Sequence, residues 1–283
     1  FQYDGCKLKY PNIKLIYWAG GNRFHHHQDL NRLVKAWQKP KTIIVNEIWW
    51  NAQARHADII FPANTALERN DIMLNPRDPT IIANKKTISS VGESKSDYEI
   101  FSSLANKLGF ENLFTENKSE LDWLKYLWNE SIKVSEEMNL KLPEFSKFWE
   151  EGFFEIPIEK TKKIMFKNFR DNPVKNPLNT PSGKIEITSN TIKNYNLKDC
   201  KGHPTWIEPY EWLGSKDNFP LHLISNQPEY RLHGQLDNAD YSLKNKIKDR
   251  EPVLINSADA KERNIENNDI VLIFNKRGRV FAG

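Results

Sequence analysis

Cysteine is nearly absent: the chain of 283 residues holds two, Cys6 and Cys200. So far apart in sequence, they cannot assemble a disulfide framework or a zinc or iron–sulfur cysteine motif, each of which needs several cysteines at short spacing. Long apolar runs are missing too. None approaches the roughly 20 residues that cross a bilayer, and nothing at the start has signal-peptide form, although the first residue is Phe1 rather than methionine. Nor does one sign of charge dominate. Lys and Arg number 41 against 37 Asp and Glu, a net +4, and the basic residues are scattered, so the balance calls for no nucleic-acid partner. No internal repeat or low-complexity tract occurs. What is present, 39% hydrophobic, 28% charged and 12% aromatic residues, is ordinary globular composition at a length that suits two domains.

Hydrophobic patterning supplies the elements. "IKLIYWAGG" is a buried strand leaving through glycines, and "DLNRLVKAWQK" follows with Leu30, Leu33, Val34 and Trp37 at helical spacing. "KTIIVNEIWW" and "HADIIFPA" read as further strands, and "SDYEIFSSLANKLGF" as a helix opening on Ser96 or Asp97 and stopping at Gly109. Alternating strands and helices predict an α/β fold with a doubly wound parallel sheet over residues 1–135. The pattern is helical from about Leu121 to Trp149, and residues 136–215 read as a connecting region that turns rich in proline and asparagine and ends in a strand at "SGKIEI". After that, "LHLISNQP", "EPVLIN", "DIVLIF" and "RVFAG" predict short strands of a β-barrel-like domain over 216–283. Its last hairpin reads as cut short, which suggests a piece of a longer chain.

Three consecutive histidines, His25, His26 and His27, follow "GGN". A metal site, an anion-binding turn and a plain polar loop are all open from composition. Consecutive residues point in different directions, and no second cluster at ligand spacing lies nearby, which counts against a metal. Glycines at a strand's carboxyl end let backbone approach a ligand, and the next helix offers free N–H groups. The pattern is not the dinucleotide fingerprint of nicotinamide dehydrogenases, because no Gly-x-Gly-x-x-Gly follows a strand with an acid about 20 residues on. A nicotinamide-dependent dehydrogenase and a non-catalytic nucleotide-binding module are the alternative functions.

In order, "YWAGGN", "HHHQDLNRLVKAW", "ARHADIIFPANTALERNDI" and "SNQPEYRLHGQLD" resemble the carboxyl-terminal half of the molybdopterin oxidoreductases related to dimethyl sulfoxide reductase, nearest to the trimethylamine N-oxide and biotin sulfoxide reductases. The resemblance implies a bis(molybdopterin guanine dinucleotide)molybdenum cofactor gripped between the α/β domain and a barrel of double-psi type. By match, Gly20, Gly21, Asn22, His26 and Gln28 contact one dinucleotide, and Asn46 or Glu47 falls near guanosine. Asp97 falls on guanine, and Ser225, Asn226, Gln227, Arg231, His233, Gly234 and Gln235 on the pterin-binding loop. A carboxylate suits guanine, whose N1–H and amino group lie side by side. From the residues alone Asp97 reads equally as a helix cap, Asn22 as a turn cap, and Arg231 and His233 as solvated loop.

The resemblance further implies reduction of an S-oxide or N-oxide by oxygen-atom transfer, with electrons from a c-type cytochrome or another donor, in the bacterial periplasm or cytoplasm, the periplasm favoured. The molybdenum ligand, a serine in this branch, belongs to the other half, so no catalytic residue or metal ligand is assigned here. Five residues, at three places in the chain, depart from the family pattern. Arg23 replaces a proline, leaving a looser turn or a guanidinium in reach of phosphate. Asn51, Ala52 and Gln53 replace Thr-Pro-Thr, and Gly234 stands where serine is common.

Overall fold

A computed structural model of the chain describes residues 1–157, 164–212, 214 and 219–283. They form two packing units, one of residues 1–12 with 164–224 and one of 13–157 with 225–283. The second unit contains every residue singled out above for cofactor binding.

In that unit β1 (Leu15–Ala19) leads through the glycine turn into α1 (Arg23–His26) and α2 (Leu30–Trp37), then β2 (Thr42–Glu47) and β3 (Ile59–Pro62). The three strands form a parallel sheet in the order β1-β2-β3, with Ala19 opposite Asn46 and Asn46 opposite Phe61. Alternation divides its side chains between two faces. Ile16, Trp18, Ile43 and Val45 pack with Phe24, Leu33, Val34 and Trp37 from the two helices. Tyr17 takes the opposite face, its ring 5.2 Å from Phe101 and 6.4 Å from Phe61. Phe101 lies on α3 (Asp97–Leu108), so helices cover both faces.

The sequence signals at α3 act as expected. Ser96 is the N-cap: its Oγ accepts from Glu99 N at 3.1 Å, and Glu99 Oε2 accepts from Ser96 N at 2.8 Å. Gly109 ends the helix at φ 82°, left-handed backbone that glycine adopts without strain.

An antiparallel sheet follows, of β4 (Asp71–Asn75), β5 (Asp78–Asn84) and, after helices α4 (Glu120–Glu137) and α5 (Phe145–Glu151), β6 (Phe153–Glu155). Its helical cover holds a second core cluster: Trp128 stacks on Phe148 at 3.7 Å, with Ala83, Leu124, Leu142 and Phe145 around them. The hairpin of β4 and β5 is an element that the sequence reading omits, although "NPRD" marks its turn between two apolar stretches.

Toward the end of the chain the observed strands are fewer than predicted. β7 (Val271–Phe274) and β8 (Arg279–Ala282) form the expected hairpin over four residue pairs. Residues 221–228 and 251–256 carry no strand, and short helices occupy Asp240–Leu243 and Ser257–Glu262. Among the described residues no barrel closes; the molecule is a mixed α/β fold with parallel and antiparallel sheets. Strand pattern alone forms no ladder. A neighbouring strand must accept the N–H groups, and Leu223, Ile224 and Leu254 remain exposed here. One link does exist at 251–253: Val253 N donates to Gly283 O at 2.7 Å and Gly283 N to Glu251 O at 3.0 Å.

The other unit contains a small hairpin, Gln2–Tyr3 against Cys6–Lys7, tied to helix Asn190–Asn194 where Tyr195 Oη donates to Asp4 Oδ1 at 3.0 Å. The strand expected at "SGKIEI" is absent there, with Ile185 and Ile187 exposed. Both cysteines are free and exposed. The boundary expected at 215–216 lies outside the described residues. Among the described residues no helix is long and apolar enough to cross a membrane.

Candidate functional site

The glycine turn is built from its backbone outward. Gly20 and Gly21 have φ of 83° and 76°, and a Cβ placed on Gly20 would meet nothing within 4 Å, so open space lies over a turn that only glycine forms without strain. The indole N–H of Trp18 reaches both carbonyls, at 2.6 Å and 2.9 Å. Asn22 caps α1, its Oδ1 accepting from Phe24 N at 3.1 Å, and its buried Nδ2 has no hydrogen-bond partner. Phe24 is buried against Trp37 and stacks on His56 at 4.2 Å, which anchors the short helix.

Gln53, fully buried, holds the turn from beneath. Its Oε1 accepts from Arg23 N at 2.7 Å and its Nε2 donates to Gly21 O at 3.0 Å. The turn at Arg23 is therefore tied rather than loose. The Arg23 guanidinium lies 4.7 Å from the centre of the Trp18 ring, a cation–π contact.

His25 and His26 diverge as consecutive helical residues must, and His27 is the extended residue that ends the helix. His25 is half-buried, and a Cβ on Gly234 would stand 2.4 Å from its Cδ2 and 2.7 Å from Asn22 Nδ2. Burial and then the Arg231 charge lower its pKa, Asp237 opposing, with His26 and His233 adding to the lowering. His26 is exposed, its ring centre 5.0 Å from that of His233. Gln28 is exposed between α1 and α2. Among the described residues no group of three or more His, Cys, Asp or Glu could hold a metal ion.

At the end of β2, neighbours separate. Asn46 is buried on the Tyr17 face: Tyr17 Oη donates to its Oδ1 at 3.0 Å, and its Nδ2 donates to Asp97 Oδ1 at 2.7 Å. Burial and then the Asp97 charge raise the Tyr17 pKa, the Asn46 bond opposing, so the phenol remains a donor at neutral pH. Glu47 turns the other way, its Oε2 accepting from Asn51 Nδ2 at 2.7 Å. Because Ser96 takes the cap, the exposed Asp97 carboxylate is left for other partners.

On the loop from 225, Ser225, Asn226 and Gln227 are exposed. Gln227 Nε2 donates to Arg231 O at 3.0 Å, and Arg231 donates to His233 O. The Arg231 guanidinium is already countered, Nε lying 3.5 Å from Asp237 and Nη2 3.4 Å from Glu251. Burial works against the Asp237 anion, but Lys246 at 2.8 Å and the charges of Arg231 and His25 hold its carboxyl below the usual range. His233 and Leu236 adopt φ of 51° and 63°, and Gln235 N donates to Leu232 O at 2.8 Å. The structure thus joins Asn22 to Gly234, His26 to His233, and Asn46 to Asp97, while Gln28, Ser225 and Asn226 stay on the surface. Tyr17, His25 and Gln53 join the site without having been predicted as binding residues. Gln53 carried a signal as a departure from the family pattern and His25 as one of the three consecutive histidines, whereas Tyr17 carried none.

Residues 4–107 match the family model for Molybdopterin oxidoreductase, and residues 221–283 that for the Molydopterin dinucleotide binding domain. Over its whole length the chain is similar to the dimethyl sulfoxide/trimethylamine N-oxide reductase of Cereibacter sphaeroides, at 44% identity, and to the trimethylamine-N-oxide reductase of Haemophilus influenzae, also at 44%. It is 42% identical to the biotin sulfoxide reductase of Cereibacter sphaeroides. The chain spans 35%, 35% and 38% of these relatives, about a third of their length. Among solved structures, acetylene hydratase from Pelobacter acetylenicus superposes with a TM-score of 0.63 at 17% identity, over 95% of this chain and 34% of that one, a likeness of fold alone. The segments matched by these two models thus lie near both ends of the chain, and the site joins them.

Proposed function

We propose that this chain is the cofactor-gripping part of a molybdenum oxidoreductase that reduces S-oxides or N-oxides, with bis(molybdopterin guanine dinucleotide)molybdenum as its cofactor. One observation carries the proposal: the glycine turn of the first matched segment meets the loop of the second at Asn22, His25 and Gly234, beside open space and an unpartnered buried amide. A protein interior satisfies such groups unless a ligand does. The substrate class rests on the relatives, whose names specify dimethyl sulfoxide, trimethylamine N-oxide and biotin sulfoxide.

The donor set fits a dinucleotide. Gly20 and Gly21 let main chain approach the ligand, and Asn22 and His26 offer a side-chain amide and an imidazole. Asp97 offers acceptors for guanine N1–H and its amino group. Arg231, ion-paired with two carboxylates at 3.4–3.5 Å and donating to His233 O, serves to fix the loop bearing His233 and Gln235. When bound, the molybdenum supplies two-electron oxygen-atom transfer, and the chain's own residues position and tune it. We read the parallel sheet as part of a doubly wound domain within residues 1–135, and 216–283 as a segment of a double-psi-type barrel reached through 136–215.

The test is composition and turnover of the complete gene product. Molybdenum with guanine nucleotide after acid release, and oxidation of reduced viologen by trimethylamine N-oxide or dimethyl sulfoxide, are expected. Guanine nucleotide without molybdenum would instead favour a binding module, and absence of both would refute the proposal.

A further inference from the structure

The hydrogen-bonded series from Tyr17 through Asn46 to Asp97 has a direction. A protonated phenol donates to Asn46 Oδ1, so the amide cannot flip, and Nδ2 is committed to Asp97 Oδ1. The parts are held on every side. Asn46 is buried in the central strand of the parallel sheet, and Tyr17 lies between the rings of Phe61 and Phe101. Asp97 sits on the first turn of a helix whose start is fixed by the reciprocal Ser96 and Glu99 bonds. A short carboxylate on a capped helix has one remaining freedom of consequence, rotation about its own bonds, and the Asn46 amide restricts it.

We infer that Tyr17 and Asn46 are positioning residues that fix the plane of the Asp97 carboxylate, so that it accepts from both the N1–H and the 2-amino group of a guanine and thereby selects guanine over other purines. The inference rests on the cofactor assignment proposed above. Asn46 occupies one lone pair of Oδ1, leaving Oδ2 and the second lone pair of Oδ1 for the base. A freely rotating carboxylate would still meet one N–H but would hold two only part of the time. Fixing it therefore acts on the second hydrogen bond, the one that inosine lacks and guanosine has.

The complete gene product, freed of cofactor, can be titrated calorimetrically with GMP, IMP and AMP. Wild type should prefer GMP over IMP and IMP over AMP, and Asp97→Ala should erase the preference. Asn46→Leu should lower GMP affinity about tenfold, the scale of a hydrogen bond to a charged group, while IMP affinity changes little, so the GMP-to-IMP ratio collapses. Tyr17→Phe, nearly isosteric, should lower that ratio by roughly threefold through the freed amide, and it decides the matter alone if Asn46→Leu does not fold. Equal weakening of GMP and IMP in both variants would mean a merely structural role and would overturn the inference. So would unchanged ratios in folded variants, even though the loss in Asp97→Ala would leave the cofactor assignment standing. Failure of wild type to distinguish the three nucleotides overturns both.

Discussion

Gln53 accepts the main-chain N–H of Arg23 at 2.7 Å, a bond that proline at position 23 could not donate. Two departures from the family pattern, arginine for proline and glutamine for threonine, thus meet at one hydrogen bond. Arg23→Pro should orphan the buried Gln53 Oε1 and cost about 1–3 kcal/mol, the scale of an unsatisfied buried acceptor. In a Gln53→Ala background the same substitution should cost less. Additive losses across this double-mutant cycle, measured by urea denaturation, would show that the two residues are independent.

Gly234 is expected to tolerate no side chain while His25 is present. Its Cβ would stand 2.4 Å from His25 Cδ2, so Gly234→Ser should destabilise by about 1–3 kcal/mol through overpacking. Adding His25→Ala should recover part of that loss, the approach to Asn22 Nδ2 at 2.7 Å remaining. A Gly234→Ser protein with unchanged melting temperature would show that the two loops do not pack as described.

Glu68 is a buried carboxylate held down to a pKa of about 2, chiefly by the Thr65 N–H, then by the Val91 N–H and the Thr65 hydroxyl, burial opposing and the Ser94 hydroxyl assisting. A depressed pKa places the stabilisation above the unfolded value, near 4.3 for glutamate, and removes it as pH falls toward the folded value. Wild type should therefore lose stability between roughly pH 4.5 and 2. Glu68→Gln should be less stable at neutral pH and flatter across that window. Parallel melting curves for the two proteins throughout would contradict the assignment.

In the helical core, Phe148→Ala removes the ring stacked on Trp128 at 3.7 Å and should cost about 3–5 kcal/mol, where Phe148→Leu costs less. Trp128 fluorescence should change in the folded Ala variant. An unchanged spectrum and stability would exclude the stacked pair.

His25→Asn tests the histidine cluster. Its folded pKa is lowered, so its contribution is complete above the unfolded value of about 6.5 and declines as pH falls below that. The wild-type melting temperature should drop more steeply than that of the variant on going from about pH 7.5 to 5.5. Identical slopes would show that His25 titrates as it does in the unfolded chain.

Much of this was legible without coordinates because the signals are local. The alternation of β1 to β3 with α2 and α3, the Ser96 cap and the Gly109 stop all lie within a few residues of what they control. The strands proposed at 182–187, 221–228 and 251–256 depended on partners, and sequence pattern carries no information about whether a ladder partner is adjacent. The hairpin of β4 and β5 failed in reverse: a bulge between Met73 and Asn75 and a mixed pattern hid a pair that packing secured.

At the site, the resemblance carried by the ordered motifs proposes Gly20, Gly21, Asn22, Asp97 and the loop from 225 as cofactor contacts, while the residues themselves mark only a glycine turn and a helix start. Which of them meet was decided by tertiary structure. Asn46 and Glu47 are equivalent candidates on paper, yet strand alternation sends Asn46 to Tyr17 and Asp97 and Glu47 to Asn51. Arg231 reads from the residues alone as solvated loop, yet folding brings Asp237 and Glu251 beside its guanidinium. Hydrogen bonds over 29 and 51 residues in the chain, such as Tyr17 to Asn46 and Asn46 to Asp97, exist only once the sheet and helices have closed on one another, so no local pattern could encode them.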